Sequence, residues 1–186
     1  VLEVATAVTG LLLGVNPFDE PDVVRAKVRA RAALEGGSGE PPTVPDDPAR
    51  VLLRHLDGFG GDDAVVLLAY LPENPACAAL VDRLATAVGR RTGVAVTAAF
   101  GPRYLHSTGQ LHKGGPDHIV PIVLTCEPAR DVQIPGRRFT LGKLRYSQAI
   151  GDIHALTDVG RRVLHLHLGP DSVALLARLV AAVEAT

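Results

Sequence analysis

Apolar and polar positions in this chain fall into blocks of helical and strand period. Residues 1–13, VLEVATAVTGLLL, form an apolar run with one charge, Glu3, and read as a buried helix that stops at Gly14. The Asn16-Pro17 and Glu20-Pro21 pairs then force an extended, turn-rich loop before a charged helix at about 22–34. Residues 35–48, EGGSGEPPTVPDDP, hold almost no large apolar side chain and have the composition of a flexible linker. A short helix is expected at about 48–56, and AVVLLAYL at 64–71 is a continuous apolar run of strand length. CAALVDRLATAVGRR carries apolar residues at helical spacing and ends near Gly93; VAVTAAF and HIVPIVLTC read as further strands. Pro121 inside the latter predicts an edge strand or a bulge. A helix at about 140–157, the strand RVLHLHL at 162–168 and a helix at 171–185 complete the pattern, with no internal repeat.

Strands alternating with helices predict a three-layer α/β sandwich with a mostly parallel sheet, preceded by a helix-loop-helix segment. Three parts are expected: residues 1–34, a linker at 35–48, and an α/β domain at 49–186.

Composition narrows the class without naming a function. The 186 residues are 47% hydrophobic, enough for one α/β domain with its own core. Basic and acidic residues nearly cancel, 19 against 20, which argues against nucleic acid or an anionic membrane as the main partner. Cys77 and Cys126 lie far apart without CxxC spacing, so neither a disulfide framework nor a zinc knuckle is indicated, and a cytoplasmic location is expected. The first apolar run is too short for a membrane span and lacks the basic start of a signal peptide. The chain has no methionine and enters that run at its first residue, so it is expected to be part of a longer polypeptide.

Two segments put polar, Gly-rich sequence where an α/β connection is ordinarily short: 14–27, GVNPFDEPDVVRAK, and 100–116, FGPRYLHSTGQLHKGGP. The second follows an expected strand, at the sheet edge where open α/β sheets bind ligands. It gathers Arg103, His106, Ser107, Thr108, Gln110, His112 and Lys113, with Gly109, Gly114 and Gly115 to admit a ligand to the backbone. Cations and hydroxyls together suit a phosphorylated or polyhydroxylated substrate; the alternative is a long solvated surface loop.

EVATAVTGLLLGVNPFDEPDVVRAK resembles the stretch of glucose-6-phosphate isomerases that holds a catalytic lysine, and is a near match to EFATAVAGALLGINPFDQPNVQEAK of the bifunctional transaldolase/phosphoglucose isomerases. FGPRYLHSTGQLHKGGP is similar to a segment found downstream in the same family. The resemblance implies a sugar-isomerase-like fold, interconversion of glucose 6-phosphate and fructose 6-phosphate, a sugar-phosphate substrate, and no metal or organic cofactor.

Lys27 matches the family lysine that assists ring opening; a cation there stabilises charge moving onto the ring oxygen. Without the resemblance, a lysine in VVRAKVRARAALE reads as a solvated helix residue. Glu20 stands where the family has glutamine, and a carboxylate there would repel a phosphate dianion unless a cation compensates; it also suits the start of the following helix. His106 resembles the histidine that opens an HxxxQLxH pattern in classical isomerases, although His112 follows one residue sooner here. An imidazole there exchanges protons near neutral pH. Gln110, His112 and Lys113 are the expected supporting contacts, with Glu20, Arg103, Ser107 and Thr108 also on the substrate side.

His165 and His167 share one strand face and are expected to be structural, because no third ligand at a recognised spacing accompanies them. Arg137-Arg138 and Arg161-Arg162 read mainly as solvated ends of elements, the alternative being an arginine that reaches a phosphate from a loop. No acidic residue matches the glutamate that would move the proton between C1 and C2. That base, and any transaldolase lysine, are expected in upstream domains of the same polypeptide, leaving this part catalytically incomplete. The competing expectation is a non-catalytic phosphosugar-binding or dimerisation domain of a larger enzyme, with a homo-oligomer possible.

Overall fold

A computed structural model describes residues 1–36 and 43–186. The apolar run at the start forms α1 (Leu2–Leu13), closed by Gly14 at φ 67°. Helix α2 (Pro21–Gly36) follows, then α3 (Pro48–Leu56), whose first turn is capped by the Asp47 carboxylate accepting from the Arg50 N–H at 2.9 Å. The alternating part runs β1 (Ala64–Tyr70), α4 (Pro75–Thr92), β2 (Ala95–Phe100), a 3-10 turn (Arg103–His106), α5 (Gly109–Gly114), β3 (Ile119–Thr125), α6 (Leu141–Asp158), β4 (Leu164–His167) and α7 (Ser172–Glu184). Of the expected linker, Glu35 and Gly36 complete α2 and Asp47 caps α3, while 37–42 lie outside the described residues.

The strands form one parallel sheet in the order β2-β1-β3-β4, so the expected three-layer α/β sandwich is the observed fold. Alternation along each strand sends side chains to two different cores. Val65, Leu67 and Ala69 of β1, Ile122 and Leu124 of β3, and Leu166 of β4 face α3, α4 and α7. Val66, Leu68 and Tyr70 of β1 and Val123 of β3 face α6 and Tyr104. Burial of both faces explains the unbroken apolar runs of β1 and β3.

Two expectations are corrected. Pro121 does not mark an edge: β3 is central, between β1 and β4. The β4 ladder begins only at Ile122, one residue past the proline, so the missing N–H interrupts no β3–β4 pair. Nor is α1 buried. Only Gly10 is, packed where Pro17 folds back on the helix, while Leu2, Val4, Val8, Leu11, Leu12 and Leu13 are exposed. Apolar composition there does not follow from a core contact within the described residues.

Helix α2 packs on the outer side of α6. Its buried residues Val23 and Ala26, with half-buried Ala30 and Leu34, recur at three and four positions and make one inward stripe. Gly151 of α6 lets the helices approach closely, since a Cβ there would collide with Ala30. Arg29 clamps the far end to Asp158 at 2.7 Å.

Candidate functional site

Lys27 and His106 come together on one cavity of about 330 Å³, at the junction of α2, the 3-10 turn and α6. Lys27 follows the buried stripe of α2 by one position, so its side chain emerges at the flank and stays about half exposed. His106 ends the 3-10 turn and is exposed. Ala26, Ala30, Leu34, Pro102, Leu105 and Leu144 form an apolar floor, with Lys27, Arg31, His106 and Gln148 as its polar groups. The Glu20 carboxylate stands 3.7 Å from the Lys27 ammonium, so its charge is compensated by that cation.

The rest of the 100–116 segment is folded, not a solvated loop. Gln110 holds α2 in place: its Nε2 donates to Asp22 Oδ2 at 2.5 Å, and its Oε1 accepts from the Asp22 N–H at 3.1 Å. Gly109 lies against Val23, and a Cβ on Gly114 would meet the Asp22 carboxylate and the Gln110 amide at 2.5 Å. These glycines therefore admit α2. Arg103 pairs with Glu73 at 2.5 Å on the surface, and the Ser107 hydroxyl donates to the Tyr104 carbonyl at 3.2 Å. Thr108 and His112 line a different cavity, about 380 Å³, over the β1–β2 face of the sheet.

His112 and Lys113 are buried. The Lys113 ammonium pairs with Asp152 of α6, both side chains being fully removed from solvent. Asp152 also accepts a hydrogen bond from the Tyr104 hydroxyl, which lies 3.2 Å from that of Tyr70. Burial opposes both charges, raising the Asp152 carboxyl and lowering the Lys113 ammonium from their ordinary values. It also pushes Tyr70 well above the usual phenol range. His112 is driven down to about 4 by burial, then by the neighbouring Lys113 and Arg161 charges.

Arg161 corrects the reading of the arginine pairs as solvated ends. It is 6% exposed and wraps the segment's end, donating to the carbonyls of His112, Lys113, Gly115 and Pro116 at 2.6–3.0 Å and to Asp117 at 3.2 Å. Arg162 does lie on the surface side, pairing with Asp63. His165 and His167 both bond Thr125 Oγ1, at 2.8 and 2.9 Å, tying β4 to the end of β3. Among the described residues no group of three or more His, Cys, Asp or Glu is placed to hold a metal ion, and no helix is long and apolar enough to cross a membrane.

Sequence reasoning missed Asp152, Tyr104 and Asp22. Asp152 had a signal: Ala149, Asp152 and Leu156 recur at three and four positions along α6, which puts a carboxylate on the helix's buried face. Asp22 had none, because a helix-start acidic residue ordinarily faces solvent.

No protein-family model and no curated protein matches the sequence. Among solved structures, a hypothetical protein from Thermus thermophilus is similar to this chain, with a TM-score of 0.59 and 21% identity over 86% of this chain and 43% of that one. At that identity the likeness concerns the fold alone, and this chain spans less than half the length of the protein it matches.

Proposed function

We propose that this chain is the C-terminal part of a glucose-6-phosphate isomerase, of the bifunctional transaldolase/isomerase type, and that it supplies the ring-opening side of the active site. The observation that carries the reading is that Lys27 and His106, from the two motifs resembling that family, line one cavity. Opening the cyclic sugar breaks the C1–O5 bond, takes a proton from the C1 hydroxyl and delivers one to O5. His106, exposed at the cavity wall, exchanges that proton, and the Lys27 ammonium stabilises the charge that grows on O5. Arg31, at the same cavity, adds a second cation that a phosphorylated substrate would share with its present partner Glu35, 2.8 Å away. The enediol base and any transaldolase activity belong to the rest of the polypeptide.

In the full-length polypeptide, Lys27→Ala should slow isomerisation by about 2–4 kcal/mol of barrier and leave transaldolase turnover unchanged. His106→Ala should depress turnover of the cyclic substrate more than that of an open-chain analogue. An unaltered isomerase rate in both folded variants would remove the cavity from the reaction.

The exposed apolar side of α1 favours a second reading, a non-catalytic phosphosugar-binding or dimerisation domain of a larger enzyme. In that case Leu11→Asp/Leu12→Asp would disrupt assembly, whereas Lys27→Ala and His106→Ala would leave turnover intact.

A further inference from the structure

His106 and Tyr104 share one 3-10 turn but face opposite ways, His106 to solvent and Tyr104 into the core at 3% exposure. The Tyr104 hydroxyl donates to Asp152 Oδ2. Beyond His106, Lys113 pairs with Asp152 Oδ1 and also reaches the Gly109 carbonyl at 3.4 Å. The stretch that carries His106 is thus tied at both ends to one carboxylate on α6. The same helix contributes Leu144 and Gln148 to the cavity and seats the Lys27 helix through Gly151 against Ala30.

Stability alone gives little reason for this arrangement. Bringing a carboxylate and an ammonium out of water costs about as much as their attraction returns, and apolar side chains of similar volume would pack as well. What the polar hub adds is direction: Tyr104 is held by a directed hydrogen bond to Asp152 and Lys113 by its ion pair there and its hydrogen bond to the Gly109 carbonyl, where an apolar contact would let the turn slide. We propose that Asp152 is a positioning residue that, through Tyr104 and Lys113, sets the place of His106 relative to Lys27. The proposal rests on the reading of this cavity as the ring-opening site.

Tyr104→Phe tests it in the full-length polypeptide, because it removes the hydroxyl and keeps the ring packed. Turnover of the cyclic substrate should fall about 10- to 100-fold, as misplacement of a reacting group by about 1 Å does, with KM and open-chain turnover little changed. The NMR signal of the His106 imidazole should move. Asp152→Asn keeps an oxygen to accept from Tyr104 and should retain more activity than Asp152→Leu; it stands in if Tyr104→Phe does not fold. A folded Tyr104→Phe protein that melts earlier but keeps its cyclic to open-chain ratio and its His106 signal would make the hub purely structural and overturn the proposal. If instead His106→Ala leaves cyclic turnover intact, the ring-opening reading fails, while the His106 signal in Tyr104→Phe still decides whether Asp152 positions it.

Discussion

Asp22 and Gln110 are joined by two hydrogen bonds, side chain to side chain at 2.5 Å and backbone N–H to side chain at 3.1 Å, and through them α2 is docked on α5. The contact joins the two segments that carry Lys27 and His106. It also satisfies one of the N–H groups that a helix start leaves without an intrahelical partner.

Gln110→Ala should therefore destabilise the fold by about 1–3 kcal/mol, because Asp22, only 5% exposed, keeps a buried carboxylate oxygen and an N–H without their partner. Urea unfolding of the variant measures this. A loss below a few tenths of a kcal/mol would mean that α2 is held by its α6 contact alone.

Arg161→Lys should destabilise the protein almost as much as Arg161→Ala, by about 3 kcal/mol or more. One ammonium cannot reach the set of four carbonyls and a carboxylate that the guanidinium spans. Thermal melts of the two variants side by side test this, and near wild-type stability of Arg161→Lys would show that charge, not the fork geometry, is what the segment needs.

The buried rings of His112 and His165 should cost stability in acid, against the opposite contribution of Asp152, whose burial-raised carboxyl favours the folded state as pH falls. His112 and His165 are both lowered from 6.5 to about 4, mainly by burial, so the folded state binds their protons less readily than the unfolded chain. Their contribution is fully present above about 6.5 and is lost as pH falls toward about 4. Denaturant midpoints measured across that window should fall with acid less steeply, or rise more, in His112→Gln than in wild type. The same slope in wild type and His112→Gln would contradict the burial of the His112 ring.

The hydrophobic pattern made most of the fold legible. Continuous runs became β1 and β3, helical spacing became α4 and α7, and the alternation of the two gave the parallel sheet, because burial on one or both faces writes itself directly into residue order. Pro121 misled, since its cost depends on how far the neighbouring strand extends, a property of the β4 register. The apolar α1 misled for a related reason: composition gives the tendency to be covered, not what covers it.

The candidate site divides the same way. Resemblance to the isomerase motifs singled out Lys27 and His106, and the residue types gathered at 100–116 are those of a polar, charged segment. It could not say that His106 faces the cavity while Lys113 turns inward to Asp152, or that Gly114 makes room for Asp22 rather than for a ligand. Those outcomes depend on α2 and α6 arriving from distant parts of the chain. The sequence by itself determined which residues could ionise, bond or pack, since those are properties of side chains and their spacing. Only the tertiary structure decided which of them remain in contact with water, because desolvation and pairing are set by neighbours that residue order does not make adjacent.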